Sequence, residues 1–286
     1  MVGSRIAFSL LFLIAVVGLR AEPRAVEDGT AVLGLDHVIV AVNDLEKAAQ
    51  RYRDLGFALK PGRPHDNGIR NQHVKFPDGT EIELLAAPEA RDDLTAQYRR
   101  HLAGGDGPAF FALFEPEKGL VSQRLDAAGM RYERKGNMVD FPSDHPLGYI
   151  FFGRRNQSPT DRPEHFAHAN TATSLIAVWI AGDDLSTERK LLAALGGAAR
   201  RQTVLGPESV RADVVDLKEA QIYLLPASRR FLPGRKIVGA TVSVKDLAAA
   251  RAALRVDLPG EARKGKSLFL PPSVTHGIWL ELREVP

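Results

Sequence analysis

His37 interrupts the run Leu35-Asp36-His37-Val38-Ile39-Val40-Ala41-Val42, where its companions at strand spacing are the apolar Ile39 and Ala41. Glu83 lies in Thr80–Leu85, in which Glu81, Glu83 and Leu85 fall on one face and Ile82 and Leu84 on the other. Two carboxylates on one face are informative, because carboxylates are seldom buried without a partner. A third acid, Glu281, occupies the matching place in the closing segment Gly277-Ile278-Trp279-Leu280-Glu281-Leu282. Imidazole with carboxylates suits a divalent ion (Zn, Ni, Mn or Fe), provided that rigid elements bring three or four ligands together and leave one position open. The ion would act as a Lewis acid on a carbonyl or enolate oxygen, and Glu83 or Glu281 would serve as base at a neighbouring C–H. The alternative is a buried His37 hydrogen-bonded to a carboxylate such as Glu83, with no metal.

The elements that must hold these residues are repeated. Adding 140 to the positions of Leu35, Asp44-Leu45, Leu55-Gly56 and Leu84-Leu85 lands on Leu175, Asp184-Leu185, Leu195-Gly196 and Leu224-Leu225 without a gap. Each copy reads as a strand, a helix and three further strands, and a fixed repeat defines an architecture before propensity does. Asn43 with Glu46 forms a capping-box pattern ahead of the helical stripe Leu45, Ala48, Ala49 and Tyr52. A degenerate second copy fits 108–152, a third runs from about Thr173 to Pro226, and a fourth begins at Ile237. The scaffold is duplicated but the ionisable pair is not. His37 and Glu83 map to Phe110 and Phe151, to Ala177 and Tyr223, and to Gly239 and Glu281. Whether Glu281 joins His37 and Glu83 depends on whether unit 1 pairs with unit 4 or with unit 2. With unit 4 the three could converge; with unit 2 the half-barrel offers two ligands and two phenylalanines.

Composition narrows the classes. The formal charge of +3 falls to +1 when Arg5 and Arg20 are removed with residues 1–21, and the remaining Arg pairs are dispersed. No basic run tracks a phosphate backbone, so nucleic acid is not an expected partner. Residues 1–21 read as a cleaved signal peptide, with Arg5 ahead of the apolar run Ile6 to Leu19, and 22–33 as a polar tether. That run is short for a bilayer span, so no stable membrane insertion is expected after cleavage and the mature chain is placed in the periplasm or outside the cell. The absence of cysteine excludes thiolate catalysis, disulfides and Cys-ligated metal. No Gly-x-Ser-x-Gly elbow is present, and the loop Gly104-Gly105-Asp106-Gly107 lacks the Lys-Ser/Thr of a phosphate loop. His73 reads as solvent-facing, His165 and His168 as packing residues, His145 and His276 as turn residues, and Trp179 and Trp279 as core.

Four such units, opening with segments like Leu35-Asp36-His37-Val38 and closing with segments like Glu83-Leu84-Leu85, resemble the vicinal oxygen chelate superfamily of glyoxalase I, bleomycin-resistance proteins and extradiol dioxygenases. Within it the chain is similar to the glyoxalase-like domain family, through Leu35-Asp36-His37, Gly68-Ile69-Arg70-Asn71, Asp78-Gly79-Thr80-Glu81-Ile82-Glu83-Leu84 and His168-Ala169-Asn170-Thr171. The resemblance implies an α+β fold of four βαβββ modules forming two half-open curved sheets. Modules 1 and 2 would take residues 34–152, a linker 153–169, and modules 3 and 4 residues 170–286.

It also implies a divalent ion held by side chains from first and last strands, with substrate oxygens chelating it. His37, Glu83 and Glu281 match such positions, and Arg70 and Asn71 would be pocket donors, Arg70 for a substrate carboxylate. The function implied is a metal-dependent lyase or isomerase on a small oxygen-chelating substrate. A metal-free small-molecule binding protein of the bleomycin-resistance kind is the alternative. An extradiol-type dioxygenase fits less well, since it needs two histidines and one carboxylate on Fe(II), and Ala177 and Gly239 supply neither histidine. A homodimer is left open.

Overall fold

The structure is a computed structural model, and it describes residues 30–136, 138–155, 157–204, 206, 208–258 and 263–285. The expected signal peptide (1–21) and residues 22–29 of the expected tether lie outside these residues. Each unit runs strand, helix, three strands. Unit 1 is β1 (Gly34–Ala41), α1 (Leu45–Asp54), β2 (Lys60–Pro61), β3 (Arg70–Lys75) and β4 (Glu81–Ala86). After α2 (Asp93–Leu102), unit 2 is β5 (Gly107–Phe114), α3 (Leu120–Ala127), β6 (Glu133–Lys135), β7 (Met138–Asp140) and β8 (Ile150–Gly153). Unit 3 is β9 (Ala172–Gly182), α4 (Ser186–Ala194), β10 (Ala198–Val204), β11 (Val210–Asp216) and β12 (Gln221–Pro226). Unit 4 is β13 (Ile237–Val244), α5 (Leu247–Ala252), β14 (Arg263–Lys264), β15 (Ser267–Leu270) and β16 (Trp279–Glu284).

Units pair in chain order. One sheet has the strand order β2-β3-β4-β1-β5-β8, with β1 and β5 antiparallel at its centre. The other runs β10-β11-β12-β9-β13-β16-β15-β14, with β9 and β13 antiparallel at its centre. Unit 1 therefore joins unit 2, and unit 3 joins unit 4. Within each unit the first and last strands run parallel, as β1 with β4 and β9 with β12. These are curved, unclosed sheets of the vicinal oxygen chelate fold.

Strand alternation sorts the side chains. Val38, Val40, Ile82 and Leu84 of the first sheet and Val178, Ile180, Val242 and Leu280 of the second belong to one continuous core. Helices α1, through Leu45, Ala48, Ala49 and Tyr52, and α4, through Leu191 and Leu192, complete it. The opposite face of each sheet carries a smaller cluster of its own: Ile39, Ala41, Leu85, Tyr98 and Leu102 on the first, Trp179, Tyr223 and Phe269 on the second. These outward faces are where ligands can enter. The α1 cap falls one residue later than the sequence pattern suggests: Asp44, not Asn43, accepts from the Lys47 N–H, because the Asn43 amide is engaged by Asp106 Oδ1 at 2.9 Å. Among the described residues no helix is long and apolar enough to cross a membrane.

Candidate metal centre

The open face of the first sheet forms the floor of a cleft of about 1190 Å³. Register decides who reaches it. His37 pairs with Glu81 across β1 and β4, and His73 pairs with Glu83 and Lys75 with Glu81 across β3 and β4. Paired residues share a face, so His37, His73, Glu81, Glu83 and Asn71 all line the cleft. The segment after β8 supplies the opposite wall through Arg154, Ser158 and Arg162.

Asp36 joins them although it neighbours His37. The β1–β5 register shifts between Leu35 and His37, a bulge that gives Asp36 no partner on β5 and re-aims its side chain. The Asp36 carboxylate accepts from His37 Nδ1 and from the Arg155 backbone N–H. Arg155 adopts φ 51°, in the left-handed region, while its Nε donates to Leu35 O at 2.8 Å and Nη1 pairs with Glu219 at 2.6 Å. Gly153 is obligatory here, since a Cβ would lie 2.6 Å from the Asp36 carboxylate.

His37 Nε2 lies 3.7 Å from Glu83 Oε2, and Asn71 Nδ2 donates to Glu83 Oε1 at 2.6 Å. His73 Nδ1 is 3.2 Å from Glu81 Oε2. Phe151 meets the His37 ring edge-on, with centroids 5.1 Å apart. Burial by itself would push the His37 pKa down. The hydrogen bond and charge of Asp36, with Glu83 and Glu81 behind it, outweigh burial and hold the imidazole above its ordinary range.

One ligand atom from each of Asp36, His37 and Glu81 can be chosen so that all lie within 4.8 Å of one another. Two oxygens and one imidazole nitrogen at that spacing suit a divalent ion of the Zn, Ni, Mn or Fe kind. Asn71 Oδ1 is also buried here without a hydrogen-bond partner. An orphaned polar atom beside three clustered acids is a cost that a bound cation and its water would relieve. The donor set fits the metal.

The structure brings His37, Glu83 and Asn71 together and leaves two expected participants out. Arg70 lies on the other face of β3, where its guanidinium pairs with Glu46 at 3.1 Å and both side chains are mostly exposed. A shift of one residue along a strand reverses the face, so Asn71 enters the cleft and Arg70 cannot. Glu281 belongs to the second sheet, because unit 4 pairs with unit 3. It is fully buried, and its oxygens accept from Thr241 at 2.8 Å, Ser267 at 2.5 Å, and Arg283 at 2.9 and 2.7 Å. A carboxylate so saturated has no lone pair free for an ion. His73 faces the cleft rather than open solvent, as its pairing with Glu83 requires.

The sequence reading placed Glu81 beside Glu83 without naming it as a ligand, and it passed over Asp36 as a possible donor and the anchor of the cleft wall. There Asp161 takes Lys60 Nζ at 2.5 Å and Lys75 Nζ at 2.7 Å, with the Ser158 N–H at 2.9 Å. Burial opposes its ionisation, but the two lysines pull its pKa down to about 2. His168 packs as expected: the Ala58 N–H donates to Nδ1 at 3.0 Å and Nε2 donates to Lys75 O at 2.8 Å.

Comparison with known proteins agrees with the geometry. No curated protein matches the sequence. Among solved structures, a variant of 4-hydroxymandelate synthase from Streptomyces coelicolor superposes with a TM-score of 0.60 at 12% identity, over 88% of this chain and 92% of that one. A homoprotocatechuate 2,3-dioxygenase variant from B. fuscum gives 0.57 at 15% identity, over 91% and 73%. A xylose isomerase-like TIM barrel/4-hydroxyphenylpyruvate dioxygenase fusion protein gives 0.59 at 14% identity over 89% of this chain, which spans about half (49%) of the fusion protein's length. At such identities the likeness shows the fold alone. The family assignment comes from the sequence match over residues 35–196, and it encloses the whole candidate metal centre: the chain belongs to the glyoxalase-like domain family.

Proposed function

We propose that the chain is a divalent-metal-dependent enzyme, a lyase or isomerase acting on a small oxygen-chelating substrate, working in the periplasm or outside the cell. The observation that carries this is the Asp36–His37–Glu81 cluster on the cleft floor, with ligand atoms within 4.8 Å of one another. Asp36, His37 and Glu81 would hold the ion, which would supply Lewis-acid polarisation of a substrate carbonyl or enolate oxygen.

The chain's own residues do the rest. Asn71 fixes Glu83 Oε1, and Glu83 Oε2 stays beside His37, placed to take a proton from a C–H next to the polarised carbonyl. Ile39, Phe110 and Phe151 make the neighbouring floor apolar, which limits water around that proton. Arg154 and Arg162, on the opposite wall, replace Arg70 as donors for a substrate carboxylate.

Solvent deuterium exchange tests the reading. Metal-loaded protein is expected to exchange the C–H proton of a 2-oxo or 2-hydroxy carbonyl compound, and Glu83→Gln to lose that exchange. No exchange across a broad panel of such compounds would contradict an enzyme of this class. One observation favours the metal-free binding protein instead: His37 already has Asp36 as a hydrogen-bond partner and Phe151 against its ring. Under that reading the cleft binds its small molecule equally well in chelator.

A further inference from the structure

The second sheet carries a different pocket on its open face, of about 340 Å³, with Trp179, Tyr223, Trp279, Phe231 and Val238 among its lining residues. Trp179 and Tyr223 lie nearly parallel, 19° apart with centroids at 6.2 Å. Gly239 permits this, because a Cβ there would fall 2.2 Å from the Trp179 ring. The indole is also pinned by its Nε1–H, which donates to Thr241 Oγ1 at 2.9 Å. Glu281, the acid in the register position of Glu83, is held here by the Arg283 guanidinium at 2.7 Å. Arg283 Nη1 then donates to Tyr223 OH at 3.0 Å, so the fixed cation both neutralises Glu281 and orients the aromatic wall. The second open face thus carries rigid, largely buried rings, and the carboxylate that lines it, Glu208, is paired with Arg229.

One polar atom is left over. Arg229 lines the pocket, and its Nε is buried without an acceptor while Nη1 holds the exposed Glu208 at 2.7 Å. An unsatisfied buried donor is costly, and a bound acceptor would recover that cost. We propose that this pocket is a second, metal-independent site that binds a planar aromatic carboxylate. The ring stacks against Trp179 and Tyr223, and the carboxylate accepts from Arg229. The volume suits a one- or two-ring molecule. It stands independently of the chemistry assigned to the first sheet.

Trp179 and Trp279 are the chain's two tryptophans and both line this pocket, so tryptophan fluorescence, excited selectively, reports on it. The experiment titrates the full chain with benzoate by fluorescence and by calorimetry, beside benzyl alcohol and cyclohexanecarboxylate. Saturable binding of benzoate below about 1 mM is expected, weaker by ~10-fold for either analogue and for Arg229→Gln, and unchanged in His37→Ala. Circular dichroism of Arg229→Gln verifies its fold, and Val238→Phe, which fills the pocket, is expected to abolish binding. No saturable signal with wild-type protein would overturn the proposal. So would benzoate affinity unaltered in Arg229→Gln or lost in His37→Ala.

Discussion

Asp36 and His37 are adjacent in the chain, yet their side chains are hydrogen-bonded to each other in one cleft. A regular strand forbids this, because successive side chains leave on opposite faces. The bulge opposite Leu113 and Ala112 makes it possible, and Gly153 leaves room for the displaced carboxylate. Gly153→Ala is therefore expected to lower metal affinity by ~10–100-fold without removing any ligand, as loss of a supporting contact does elsewhere. Competition against a metal-sensitive dye measures this. Affinity equal to wild type would mean that the position of Asp36 is immaterial.

Glu81 and Glu281 separate the two sheets. Glu81→Gln is expected to lower metal content while leaving the fold intact. Glu281→Gln is expected to leave metal content unchanged and to cost ~2 kcal/mol of stability, because the half-buried Arg283 loses its charged hydrogen-bond partner. Denaturant unfolding and elemental analysis of both variants check the pair. Metal loss in Glu281→Gln would bring the second sheet back into the metal centre.

Asp161 ties Lys60 and Lys75 to the cleft wall. Asp161→Asn removes the carboxylate that both buried lysines bond and is expected to cost ~3 kcal/mol. In the wild type the folded-state pKa lies below the unfolded value, so the unfolded chain takes the proton first. The Asp161 contribution is full above about pH 4 and is lost as pH falls from 3.8 toward about 2. Acid unfolding curves of wild type and Asp161→Asn should converge in that window.

His101 acts at milder pH. Burial, with the Arg235 charge beside it, lowers its pKa from 6.5 to about 4. The unfolded chain binds this proton at the higher pH, so stability is full above 6.5 and declines as pH falls toward 4, by on the order of 2–3 kcal/mol. His101→Gln is expected to flatten that slope in thermal melts taken across the range. An unchanged slope would assign it to another group.

Much of this was legible in residue order, and the gaps have physical reasons. The repeat and the alternation of β1 and β4 reveal the fold and the inward placement of His37 and Glu83, because period-two patterns survive in single sequences. Asp36 was hidden since alternation sends it the other way, and the bulge depends on pairing with β5. Arg70 and Asn71 differ by one residue of register, which sequence alone does not fix to that precision. Glu281 failed as a ligand for want of topology, although Arg283 two residues on, on the same strand face, already offered it a partner. His73 was readable once Asn71 was placed, because the two share a face of β3.

The central claim is that the cleft floor holds a divalent ion. Elemental analysis of the protein purified without chelator, beside His37→Ala, tests it most directly. Near-stoichiometric divalent metal in the wild type, lost in His37→Ala, is the expected result. No metal in either protein, even after reconstitution with Zn, Ni, Mn and Fe, would contradict it and leave a small-molecule binding protein.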